Sequence, residues 1–270
     1  MENNTPESNV NATINAVAGL VKEIPIYQDT VQPAAQEVGK SLHTVAKTIN
    51  IALAPIKALV WGYDKIEEFI TKRVAEKLEK IPEDNIITPD PKIAVPAIEA
   101  LRYTGHDQNL RELFANLIAN SMDKLTVKNA HPGFVEVLKN ISSDEAVLLR
   151  AFVAQRQYPI INVNAKLKDG TGYNPITKSF SNFYQNLEIQ NKDLVSTYFD
   201  NLIRLGILEI PPYVHLTAPN TYEPIENDSN LDGVKMLIEK IMDKTVSFER
   251  QIIRATSFGG HFIESVVRDK

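Results

Sequence analysis

Prolines limit what this chain can fold into between residues 81 and 152. The stretch reads IPEDNIITPDPKIAVPAIEALRYTGHDQNLRELFANLIANSMDK and, after a short turn, AHPGFVEVLKNISSDEAVLLRAF. A ring that fixes φ and removes a backbone donor ends one helix and favours the first turn of the next. Pro82, Pro89, Pro91 and Pro132 therefore mark turns, and they separate three helices whose apolar residues recur at helical spacing.

The helix predicted over 108–124 buries Leu110, Leu113, Phe114, Leu117, Ile118 and Met122. On another side lie Glu112, Asn116, Asn120 and Asp123, spaced 4, 4 and 3, which makes one continuous polar stripe. Two readings compete for it. Completed by His131, the stripe is a metal or ligand site. Otherwise it bonds the prolyl loops or the next helix, since helical asparagine often satisfies buried backbone. The second reading is favoured, because magnesium or calcium asks for more carboxylates. No metal and no cofactor are expected. His131-Pro132 starts a helix over 133–140.

Upstream, 14–24 reads as a short helix, and a longer one begins near Pro33. Its stripe is Val38, Leu42, Val45, Ile49, Leu53, Ile56 and Val60, at spacings of 4, 3, 4, 4, 3 and 4. Pro55 is expected to kink or split it. Asp64 is the expected cap of a second amphipathic helix with the stripe Ile66, Phe69, Ile70, Val74, Leu78, Ile81, its pairs Glu68–Lys72 and Glu76–Lys80 lying on a solvated face.

From Ser142 the pattern changes. Ser142 and Glu145 are spaced as a capping box before EAVLLRAFVAQ. YPIINVNAKLK alternates as a strand, KDGTGYNP reads as a loop, and 181–187 as a helix. Asp193 is the expected cap of DLVSTYFDNLIRLG, with Gly206 as its stop. ILEIPP and QIIRATSFG read as strands. The fold class expected is mainly α: an N-terminal helical domain followed by a winged-helix-like α+β domain with a small antiparallel sheet. Three parts are expected: a polar segment over 1–24, a helical domain over 25–141, and the winged-helix-like domain over 142–270. The last carries a wing insertion over 211–249, with its own helix near 233–244.

A winged helix raises DNA binding. Charge argues against it. The net charge is −5, residues 142–270 hold 14 basic against 16 acidic side chains, and the helix in the recognition position offers only Lys192, Asp193, Asp200 and Arg204. Phosphate neutralisation needs several cations on one face. A cysteine count of 0 excludes disulfides and thiolate chemistry and fits a reducing compartment. The longest run without charge in the strongly apolar helix, TINIALAPI, is far below the ~20 residues of a membrane span.

From residue 27 to residue 152 the chain resembles the abortive infection alpha (Abi-alpha) family of bacteria. The resemblance is carried by DTVQPAAQEVGKSL, ALAPIKAL, EKLEKIPEDNIITPDPKIAVPAIEAL, LRELFANLIANSMD and HPGFVEVLKNISSDEAVLL, in order and spacing. FDNLIRLGIL and IRATSFGGHFIESV are similar to the end of the same family. The resemblance implies abortive infection, a phage defence in which the infected cell arrests or dies. It supplies no catalytic residues; Asn116, Asn120, Asp123, His131 and Pro132 are motif positions of unknown role. The expectation is a non-enzymatic, cytoplasmic defence protein acting through contacts with a phage or host protein. A homo-oligomer stays open. The alternatives are a membrane-disturbing effector using the helix over 38–61, membrane contact coming on activation, and a DNA-binding winged-helix regulator. An enzyme using the stripe from Glu112 to Asp123 is disfavoured: no paired carboxylate, nucleophile or phosphate loop is present.

Overall fold

A computed structural model of the chain describes residues 31–57 and 66–270, with side chains from residue 44 onward. The helix expected over 14–24, the Asp64 cap, Val60 and Trp61 lie outside these residues. Helix α1 spans Val31–Lys57 and continues through Pro55 without a break. Val45, Ile49, Leu53 and Ile56 on its stripe are buried. They meet α2, Glu67–Leu78, which turns Ile70, Val74 and Leu78 inward. The solvated face expected of α2 is only partly so. Lys77 is buried, and Glu76 pairs with Arg73 rather than Lys80.

Side-chain hydrogen bonds fix the starts of the helices that follow. Pro91 is the first residue of α3, Pro91–Thr104, and the Asp90 side chain accepts from the Lys92 amide at 2.8 Å. Asp107 caps α4, Gln108–Ser121, by accepting from the amides of Asn109 and Leu110 at 2.9 and 3.1 Å. His131 does the same for α5, Gly133–Lys139: its Nδ1 accepts from the Gly133 amide at 3.0 Å. The capping box read at Ser142 and Glu145 opens α6, Ser143–Ala154.

The sheet is antiparallel, in the order β2-β1-β4-β3. β1, Gln157–Lys166, pairs along its whole length with β4, Thr245–Ala255. β2 is Tyr173–Phe180 and β3 only Leu208–Glu209. Between them α7, Val195–Arg204, ends at Gly206, whose φ of 73° is the left-handed stop expected there. The segment between β3 and β4 holds α8, Glu223–Glu226, and α9, Asp232–Met236, which continues as a wide turn, Leu237–Ile241. After β4 comes α10, Ser257–Phe262, widening into the turn Ile263–Val267. The chain is therefore mainly helical with a small sheet.

Four local expectations fail, each to tertiary packing. YNPITKSF is strand β2, because an edge strand tolerates Pro175. Residues 181–187 form turns, not a helix. There the Ser181 hydroxyl donates to the Pro159 carbonyl at 2.7 Å, and Phe183 stacks on Tyr158 at 4.0 Å. Asp193 lies in a tight turn, Lys192–Leu194, and Leu194 occupies the cap position of α7. The strand read at QIIRATSFG starts at Thr245 and stops at Ala255, because α10 packs its first turn onto β3. A Cβ on Gly259 would lie 1.8 Å from the Ile207 carbonyl oxygen.

One cluster of buried apolar side chains runs from Val45 on α1 to Val267, on one face of the sheet. A smaller cluster on the other face joins Ile161, Val163, Ala165 and Phe180 to Tyr222, Ile225, Leu231 and Ile238. Strand pleating divides β1 between them: Ile160 faces the first and Ile161 the second.

Candidate functional site

The polar stripe of α4 faces inward, toward the segment 263–270. Asn116 is buried, and its Nδ2 donates to the Val266 carbonyl at 2.9 Å. One turn on, Asn120 donates to the Ser265 carbonyl at 2.9 Å and to the Asn116 carbonyl at 3.1 Å. These carbonyls lie at the end of a helical element, where acceptors lack partners within the helix. The two asparagines supply the missing donors. Ser265 in turn donates to the Asn129 carbonyl at 3.1 Å.

Beyond them the site becomes ionic. Asp123 is 1% exposed, and its Oδ2 accepts from Lys270 Nζ at 2.7 Å. The same ammonium donates to Asn120 Oδ1 and Thr126 Oγ1, both at 3.1 Å, which uses all three of its protons. Burial pushes the Asp123 carboxyl up, but Lys270 and the Leu125 amide outweigh it and hold the group below its ordinary 3.8. On α2, Lys77 binds Asp269 and lies 3.6 Å from Glu112. Glu112, the first residue of the stripe, is also gripped by Arg73, whose Nε donates at 3.0 Å. Thus Asp269 and Lys270 are fixed to α2 and to the end of α4 by charges of opposite sign.

His131 and Pro132 stand apart from the stripe. Beyond capping α5, the His131 ring meets Phe258 edge-on with centroids 5.8 Å apart. Phe134 packs on Phe258 at 5.2 Å and on Phe262 at 5.3 Å. Asn116, Asn120, Asp123 and His131 thus converge on one stretch, 258–270, but with Pro132 they do not form a ligand set. Among the described residues no group of three His, Asp or Glu is placed to hold a metal ion. The side chains of the stripe are bonded within the protein, Glu112 to α2 and the others to the segment 263–270, while Asp123 also pairs through its backbone with Ile86 after the Pro82 turn.

Lys77, Asp269 and Lys270 are the site residues that the sequence reading missed. A signal existed for one of them: Lys77 follows Val74 by three, on the apolar face of α2, where a lysine needs a partner. A surface depression of about 590 Å³ lies elsewhere, lined by Asn182, Gln185, Asn186, Asp228, Ser229 and Asn230.

A family model described as abortive infection alpha matches residues 62–266. No curated protein matches. A solved structure of an uncharacterized protein from the hydrocarbon-degrading marine bacterium Alcanivorax borkumensis SK2 is similar at 19% identity and a TM-score of 0.35, covering 50% of this chain and 93% of that one.

Proposed function

Because the chain belongs to the abortive infection alpha family, we propose that it is an anti-phage defence protein that works without catalysis, through contacts with a phage or host protein. One observation carries the non-catalytic half of this reading. The densest set of polar motif residues, Asn116, Asn120 and Asp123, is engaged in holding the segment 263–270. A catalytic stripe would aim such groups at a substrate. The contact face is assigned to residues 142–270, read as a winged-helix-like module in the cytoplasm. In it α7 offers Asp200 and Arg204 at its surface, and Arg204 is bonded to Asn201 at 2.6 Å rather than held ready for a phosphate.

The membrane-disturbing reading has less support. Val45, Ile49, Leu53 and Ile56 lie in the core, and no described helix is long and apolar enough to cross a membrane. The test is phage challenge of bacteria carrying the gene. Protection is expected, with escape phages whose changes map to a protein that binds the purified chain. Unchanged plaque numbers across a phage panel would overturn the defence reading. Hydrolysis of nucleotide or nucleic acid by the purified chain would overturn the non-catalytic one.

A further inference from the structure

Among the described residues, Arg111 on α4 is the charged side chain that keeps a buried polar atom without a hydrogen-bond partner. It is half-buried, its Nε is enclosed and has no hydrogen-bond partner, and no carboxylate among the described residues pairs with it. A guanidinium keeps its charge at any physiological pH, so an enclosed donor of this kind calls for an acceptor. The Asp107 side chain, one turn earlier on the same helix, accepts through Oδ1 from the amides of Asn109 and Leu110 and makes no ion pair with Arg111.

Arg111 also lines a cavity of about 320 Å³ between the start of α2 and the turn from α3 to α4. Ile66, Phe69 and Leu101 give it apolar walls, and Gly105 and His106 form its rim. The Arg111 guanidinium lies over the Phe69 ring, 5.4 Å from its centroid. That contact uses the face of the guanidinium and leaves its in-plane donors unspent. The cavity therefore combines an aromatic and aliphatic wall with two guanidiniums, Arg111 and Arg102, and none of its described lining residues is acidic.

We propose that this cavity binds a small oxyanion, a carboxylate or phosphate, carried on a flat apolar body. The oxyanion takes the fork of Arg111, and the body lies against Phe69 and Leu101. A fork of two parallel donors suits both oxyanions, so the charge and the flat body define the ligand class. This site is independent of the defence reading.

The test is calorimetric titration of the full chain with 2-naphthoate, 2-naphthyl phosphate, the neutral 2-naphthylmethanol and inorganic phosphate. Both charged naphthyl probes are expected to bind at one per chain, each at least about tenfold tighter than the alcohol and than inorganic phosphate. Which of the two binds tighter identifies the oxyanion. Arg111→Gln should weaken the charged probes by about tenfold or more and leave the alcohol unchanged. Arg111→Lys should keep part of the affinity, because the charge stays and the fork goes. Equal binding of naphthoate and the alcohol, unaltered binding in Arg111→Gln, or no saturable binding of any probe would overturn the proposal. Inorganic phosphate binding as tightly as the naphthyl probes would overturn the role given to the walls. Should Arg111→Gln fail to fold, Arg111→Lys and the charged-to-neutral ratio decide.

Discussion

Asp123, just past α4, and Asp144, in the first turn of α6, are both buried carboxylates that tie down a distant stretch of chain, and they do it by different means. Asp144 accepts from four neutral donors: the amides of Gln190 and Asn191 at 2.8 and 3.0 Å, Asn191 Nδ2 at 3.2 Å and the Tyr198 hydroxyl at 2.9 Å. Burial and the Asp144 carboxylate push the Tyr198 phenol up to about 12, so it stays a donor throughout the physiological range. Asp123 relies chiefly on one ammonium, Lys270, whose side chain is 11% exposed. Dipoles fixed in the backbone cannot be exchanged or screened, whereas an ammonium at the edge of the fold can be. The first arrangement makes 190–198 a permanent part of the body. The second makes 263–270 a latch.

The comparison breaks most visibly at Asp144. Asp144→Ala removes the acceptor of four donors on Gln190, Asn191 and Tyr198 and is expected to cost about 3 kcal/mol in urea unfolding, nearly independent of salt. Lys270→Met leaves Asp123 uncompensated and should cost about 2 kcal/mol in dilute buffer, shrinking as salt is raised. Adding Asp123→Asn to that variant should recover more than half of the loss. If both costs fell in parallel with salt, rivet and latch would be the same thing.

Acid sharpens the contrast. Burial alone would raise both carboxyls, but their hydrogen bonds hold each below 3.8 in the folded chain. The unfolded chain then binds more protons near pH 4, so stability is complete above the ordinary aspartate range and is lost as pH falls through the lowered native values. A pH series of unfolding midpoints should show this loss below about pH 4, and Asp123→Asn should remove part of it. An unchanged acid limb in that variant would show that Asp123 is not held below its ordinary range. The smallest effect belongs to an exposed ion pair on the same latch. Arg156→Gln breaks the contact with Glu264, whose side chain is 39% exposed, and should shift stability by only ~0.3 kcal/mol.

Much of the helical part was legible because its rules are local. Ser142 with Glu145, and Gly206, act within a turn or two of themselves, and they stand where the sequence places them. The α4 stripe was legible as a stripe, but its partner was not. Asn116 meets Val266 at a separation of 150 residues, and nothing in the local pattern points across such a gap. Failures cluster where aromatic packing overrides propensity, as at Phe183 against Tyr158 and Phe152. Arg111 was invisible for another reason. Its neighbour Glu112 sits on the stripe, and only the fold shows that Glu112 turns to Arg73 and leaves Arg111 without a counter-charge.

That same long reach fixes an order of events on the ribosome. α4 is synthesised early, and its buried asparagines have no partner until residues 265 and 266 leave the exit tunnel. Until then Asn116, Asn120 and Asp123 stay hydrated, and α2 and α4 share an unfinished face. β1 likewise waits for β4, since Gln157 pairs with Arg254. Non-local pairings of this kind close late and slowly. The growing chain is therefore a helical intermediate with an open polar groove until residues 263–270 emerge and close the latch.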